Sequence, residues 1–156
     1  DGSETALEGL RRNAALNGLS VGEPGSDAGL QPQKANVFER LRELFDAGER
    51  FDAVVLDPPA LAKRKAELPA ARRGYKDLNL RALKLLREGG RLLTCSCSFH
   101  LSEAHFLETL SEAAADGGVD ARVVERRGAA ACHPRRLALP ESDYLKVVVL
   151  EGTGAW

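Results

Sequence analysis

The chain has 156 residues, 44% of them apolar, and its 22 basic and 23 acidic side chains leave a formal net charge of -1. That length suits one domain around one core, and the even balance excludes a global cationic field of the kind nucleic-acid proteins display. Three cysteines make no disulfide framework and no long apolar span occurs, so reduced thiols, a cytoplasmic setting and no membrane partner are expected. Methionine is absent, even at position 1, which leads us to expect a piece of a longer protein.

Apolar residues at 6, 7, 10, 14 and 15 predict a helix over residues 3–17, with Ser3 as its N-cap and Asn17-Gly18 at its end. Residues 19–33 are rich in Gly, Ser, Pro and Asp and predict a long mobile loop. A second helix is expected from Val37 to Ala47, with Asn36 placed to cap it. The apolar run Ala53 to Leu56 then predicts a buried parallel strand. It must stop at Asp57, because Pro58 and Pro59 donate no ladder hydrogen bond and keep the preceding backbone extended.

Ala60 to Arg72, small and basic, is the natural lid, followed by a helix from Lys76 to Arg87 that Glu88-Gly89-Gly90 ends. Arg91 to Thr94 predicts a second buried strand, and Ser102 the cap of a helix running to Ala115. Ala121 to Glu125 and Leu145 to Leu150 predict a last, antiparallel strand pair joined by a long loop that holds His133.

The two buried strands with their helix form a βαβ unit, whose carboxyl edge would bring Asp57 and the thiols Cys95 and Cys97 to one pocket. On residue type alone, Asp57-Pro58-Pro59 reads equally as a strand terminus, and Cys97 reads first as core packing. Lys63, Arg64, Lys65, Arg72, Arg73 and Lys76 form a basic cluster suited either to phosphate contacts or to a solvated helix face. No metal site is expected, since there is no C-x-x-C and the adjacent Cys132 and His133 splay apart.

Several runs go further than this. Asp57-Pro58-Pro59, Arg73-Gly74-Tyr75-Lys76-Asp77-Leu78-Asn79, Gly89-Gly90 followed by Thr94-Cys95-Ser96-Cys97-Ser98, Ala131-Cys132-His133-Pro134 and Pro140-Glu141-Ser142-Asp143-Tyr144-Leu145-Lys146 together resemble the bacterial 23S ribosomal RNA cytosine-C5 methyltransferases of the large subunit. These are class I enzymes dependent on S-adenosylmethionine (SAM). The resemblance spans nearly the whole chain. It implies an α/β, Rossmann-like class I methyltransferase sheet with strand order 3-2-1-4-5-7-6, here lacking the first strands and the Gly-rich loop. Residues 1–156 would then be a partial catalytic domain whose fourth family strand has a raw edge, open to homo-oligomerisation, with poor SAM affinity.

The resemblance also implies roles. Carbon 5 of cytosine needs a nucleophile added at carbon 6 before it can attack a methyl group, and a thiolate suits that task. Cys97 takes this role, and Asp57 partners ring nitrogen N3. Asp1 would hold the ribose hydroxyls of SAM, Asn36 would stand where the family has an acidic residue for the adenine, and Asp57 and Pro58 would line the cofactor. Pro59, Arg73, Tyr75 and His133 would face the ribosomal RNA, with Tyr75 either stacking on a base or packing in the core. Tyr144 and Lys146 read as framework. Ala60 and Leu61 stand where many such enzymes carry a second cysteine, and Cys132 replaces the usual Asp before His-Pro, so the base that removes the carbon 5 proton is unassigned. Two other readings remain beside this one: direct methyl transfer to adenine N6 or guanine N7 without a thiol, and a fragment without catalysis.

Overall fold

The computed structural model describes residues 1–155. In chain order the elements are α1 (Glu4–Leu16), α2 (Val37–Asp46), β1 (Phe51–Leu56), α3 (Leu68–Lys84), β2 (Leu86–Ser96), α4 (Glu103–Gly117), β3 (Val119–Arg127) and β4 (Lys146–Ala155). Short 3-10 turns occupy Lys65–Glu67 and Pro140–Ser142. The chain divides into two compact units, Asp1–Glu43 and Leu44–Trp156.

In the first unit the Ser3 hydroxyl accepts from the Ala6 N–H at 3.3 Å and starts α1 as its cap. Residues 19–33 are more ordered than their composition suggests. Leu30 bridges Val21, the Gly22 N–H donates to the Leu30 carbonyl, and Gln31 ties the bend through the Gly25 N–H and the Ser26 carbonyl. A side-chain amide that both donates and accepts can close a polar loop without an apolar core.

In the second unit the sheet order is β1-β2-β4-β3, with β1 and β2 parallel and β4 antiparallel to both its neighbours. This is an α/β, Rossmann-like arrangement, and its order agrees with the 4-5-7-6 portion that the resemblance implies. The helices α3 and α4 pack on each other and bury Tyr75, Leu78, Leu83, Phe106, Leu110 and Ala113. The rings of Tyr75 and Phe106 meet edge to face at 5.7 Å. Leu92, Val148 and Leu150 supply the sheet side of the core, each fully buried aliphatic contributing about 2 kcal/mol. Among the described residues β1 is an outer strand, and Val55 on it is 71% exposed.

Several element boundaries differ from expectation, among them the starts of α3 and β2. Helix α3 begins at Leu68 rather than Lys76, because Pro69 fits a first helical turn and the basic side chains that follow project from a regular helix. Strand β2 begins at Leu86 rather than Arg91, so Gly89-Gly90 is no helix terminus but a bulge within the strand. Phe51 pairs with Leu86, the register slips, and Ala53 pairs with Arg91. Gly90 is required there, since a Cβ would stand 2.8 Å from the Arg87 carbonyl oxygen and 3.1 Å from that of Phe51. Gly90→Ala should destabilise the chain by about 2 kcal/mol, read as a lower midpoint in urea unfolding.

Candidate active site

Parallel pairing of β1 with β2 puts both carboxyl ends on one edge, with Leu56 opposite Thr94. From that edge Asp57-Pro58-Pro59 leaves β1, and Cys97-Ser98 leaves β2. The two exits meet: the Cys97 thiol lies 3.8 Å from the Pro58 carbonyl oxygen and donates to it. Pro58 is buried, while Asp57 and Pro59 are exposed and Cys97 is half-buried. Among the described residues the Asp57 carboxylate has no hydrogen-bond or ion-pair partner, so both its oxygens are free to accept. The prolines account for this, because they add no N–H that could fold back on the carboxylate.

The two thiols differ sharply. Cys95 is only 7% exposed, and its pKa is pushed up to about 11, first by burial and then by the facing Asp57 and Cys97. It stays a neutral thiol near physiological pH. Cys97, one residue beyond the end of β2, is free of the strand's alternation and reaches solvent.

Ser98 secures the turn. Its Oγ accepts from the Ala62 N–H at 3.1 Å and shares a hydrogen bond of 3.0 Å with the Tyr75 hydroxyl, while its carbonyl accepts from Lys146 Nζ at 2.6 Å. The first contact fastens the lid. Within the lid, Glu67 accepts from the Lys63 N–H, the Arg64 guanidinium and the Arg64 N–H, in that order the causes that hold its carboxyl below the usual range. Gly74 lets Leu61 approach, a Cβ there being 3.1 Å from the leucine methyl.

Tyr75 cannot stack on a base. It is 0% exposed, with its hydroxyl on Ser98 and its ring on Phe106, so it belongs to the core. The basic cluster also divides. Arg64 pairs with Glu67, Arg72 with Glu108 and Glu112, and Lys76 with Glu112 and Asp116, where carboxylates of α4 neutralise the latter two. Lys63, Lys65 and Arg73 carry no carboxylate partner among the described residues, and Arg73 is exposed. His133 is exposed and its Nδ1 lies 3.1 Å from the Cys132 thiol, an interaction that involves neither Asp57 nor Cys97.

Asp1 and Asn36 belong to the first unit. One Asp1 carboxylate oxygen accepts from the Ser3 N–H at 2.7 Å, and its carbonyl accepts from the Ala35 N–H. The Asn36 amide oxygen accepts from the Phe38 N–H at 2.9 Å and so caps α2. Among the described residues no three His, Cys, Asp or Glu side chains cluster to hold a metal, and no helix is long and apolar enough to cross a membrane. Sequence reading missed Lys146 and Ser98 as parts of this edge. The available signal was a lone lysine opening the apolar run Val147 to Leu150.

Ser98→Ala should strand the Ala62 N–H and the Tyr75 hydroxyl, lowering stability by about 2 kcal/mol and speeding amide exchange at Ala62, checked by hydrogen exchange. Between pH 9 and 11 the unfolded chain releases the Cys95 proton while the folded chain keeps it, so stability falls as pH rises through that window. Melting curves across this range should show the fall, and Cys95→Ser should flatten it.

No protein-family model matches the chain. It is 45% identical over 150 residues to "Ribosomal RNA large subunit methyltransferase I" of Aeromonas salmonicida, and 44% identical over 146 residues to the protein of the same name from Vibrio cholerae. These alignments cover 96% and 94% of this chain, which spans 36% of the length of either relative. A solved structure, the putative methyltransferase SMU.776 complexed with SAH, superposes with a TM-score of 0.78 at 17% identity, covering 97% of this chain and 37% of that one. With this superposition and its four-stranded α/β sheet, the chain has the Rossmann-like fold of class I SAM-dependent methyltransferases.

Proposed function

We propose that this chain forms the catalytic edge of a SAM-dependent methyltransferase that modifies carbon 5 of a cytosine in large-subunit ribosomal RNA through a Cys97 adduct. The observation that carries the reading is the meeting of the two strand exits, with the Cys97 sulfur 3.8 Å from the carbonyl of Pro58, the residue that follows Asp57. The ribosomal RNA is suggested by the names of the relatives, and all three cysteines are free, as a cytoplasmic enzyme with a working thiol requires.

Residues suited to the cofactor are present in part. In the second unit Asp57 and Pro58 stand at the strand exit where class I folds bind ligands; in the first unit, taken by itself, one Asp1 carboxylate oxygen has no partner among the described residues. Asn36 fits less well, because its amide oxygen, the atom that would accept from an adenine amino group, is engaged in capping α2. When bound, SAM supplies an electrophilic methyl group.

The chain's own residues do the rest. The Cys97 thiolate adds to carbon 6, forming a sulfur–carbon bond and moving the 5,6 double-bond pair toward carbon 5 and N3. Asp57, in its carboxylic acid form, donates its proton to N3 as charge accumulates there, and takes it back as a carboxylate when the 5,6 bond re-forms. After carbon 5 has gained the methyl group, loss of its proton returns the pair to the 5,6 bond and expels Cys97 as thiolate. Neither Ala60 nor Leu61 can take that proton. The target base must leave its stack to reach the sulfur, and the exposed Lys63, Lys65 and Arg73 are the lid-side cations available to its phosphates.

RNA carrying 5-fluorocytosine tests this reading, since fluorine cannot leave as a proton and the adduct persists. A denaturation-resistant complex is expected with the native protein and none with Cys97→Ala, whose methylation should fall roughly a thousandfold. Methylation that survives Cys97→Ala would instead indicate direct transfer to a ring or amino nitrogen.

A further inference from the structure

Lys146 opens β4 opposite Ser96 of β2 and is 8% exposed. A buried ammonium is costly unless it is hydrogen-bonded and faces negative charge, and an aliphatic residue would continue the apolar run of β4 at lower cost. Two of its three N–H donors go to the carbonyls of Ser98, at 2.6 Å, and Tyr144, at 2.7 Å. Among the described residues the third has no protein acceptor.

The neighbouring charges say what the ammonium serves. Burial pushes the Lys146 pKa below the ordinary lysine range, and the facing anions of Cys97 and Asp143 oppose that shift. Asp143 already has a cation of its own, Arg135 at 2.9 Å. A cleft of about 700 Å³ opens along Lys146, and its other charged walls are likewise paired, Glu103 with Arg126 and Glu125 with Arg127. Cys97 is thus the ionisable group near Lys146 that has no cation of its own among the described residues. Asp57 leaves the same sheet edge at the end of β1.

We propose that Lys146 is a positioning residue for Cys97: its ammonium, clamped between the Ser98 and Tyr144 carbonyls, fixes the turn that carries the sulfur and holds positive charge beside it. This rests on the reading of Cys97 as nucleophile. The sulfur enters the reaction as an anion and leaves it as one, so a fixed cation favours it at both moments without itself bonding to substrate.

Alkylation of Cys97 with reagents of different charge tests the proposal. Rates with anionic iodoacetate and neutral iodoacetamide, resolved by residue in mass spectra, both scale with the thiolate present. Their ratio therefore reads local charge alone. The native ratio should exceed that of a small-molecule thiol in the same buffer; Lys146→Gln, a neutral hydrogen-bond donor, should lower it by about tenfold, and Lys146→Arg should keep it within about twofold of native. A native ratio no higher than that of the small thiol overturns the proposal without any variant. Equal ratios for the Gln variant and native protein overturn it too, including the case in which both rates change together through loosened structure. Loss of the nucleophile reading has a separate signature, methylation surviving Cys97→Ala, which leaves the alkylation ratio untouched.

Discussion

The buried side chain and carbonyl of Ser98 hold the candidate site together. Two residues past the end of β2, Ser98 joins four parts of the second unit: β2 through the Ser96 hydroxyl, the lid through the Ala62 N–H, α3 through Tyr75, and β4 through Lys146. It is 0% exposed, so each of these bonds replaces one that water could have made, and leaving any partner unsatisfied costs more than the bond contributes. Cys97 is its immediate neighbour. The sulfur is therefore placed by a fully bonded turn rather than by a free loop, although it stands outside regular structure.

That knot also explains what the Arg73-to-Asn79 run does. Gly74 admits the lid, Tyr75 reaches Ser98, Leu78 fills the core, and the Asn79 amide donates to the Tyr75 carbonyl at 2.8 Å. Of its charged members, Lys76 is tied to α4 and Asp77 to Arg81 on the next turn. A motif that reads as a substrate contact works from behind, bracing the turn on which the thiol sits. Arg73 alone faces outward with its charge unspent.

The electrostatics at the edge divide labour between two thiols only two residues apart. Cys95 lies within the ladder opposite Val147, so it is buried and stays protonated. Cys97 lies past the last ladder residue, so the backbone turns and brings its sulfur to Pro58 and toward solvent. Strand termination, and not residue type, makes one thiol structural and leaves the other available for chemistry.

Much was legible in the sequence because it depends on neighbours along the chain. The caps at Ser3, Asn36 and Ser102, the stop imposed by Pro58 and Pro59, and the apolar strands flanking a helix are local matters of hydrogen-bond supply and side-chain period. The bulge at Gly90, the burial of Tyr75 and the neutralisation of Arg72 and Lys76 were not legible. Each is decided by an atom far away in sequence: the Phe51 carbonyl, the Ser98 hydroxyl, and the carboxylates of Glu108, Glu112 and Asp116. The sequence by itself determined which carboxylate and which thiols stand at strand ends, because proline and periodicity act within a few residues. Only the tertiary structure decided that Cys97 meets Pro58, 39 positions away, and that Lys146 reaches the Ser98 carbonyl, 48 positions away, because strand pairing brings distant segments to one edge.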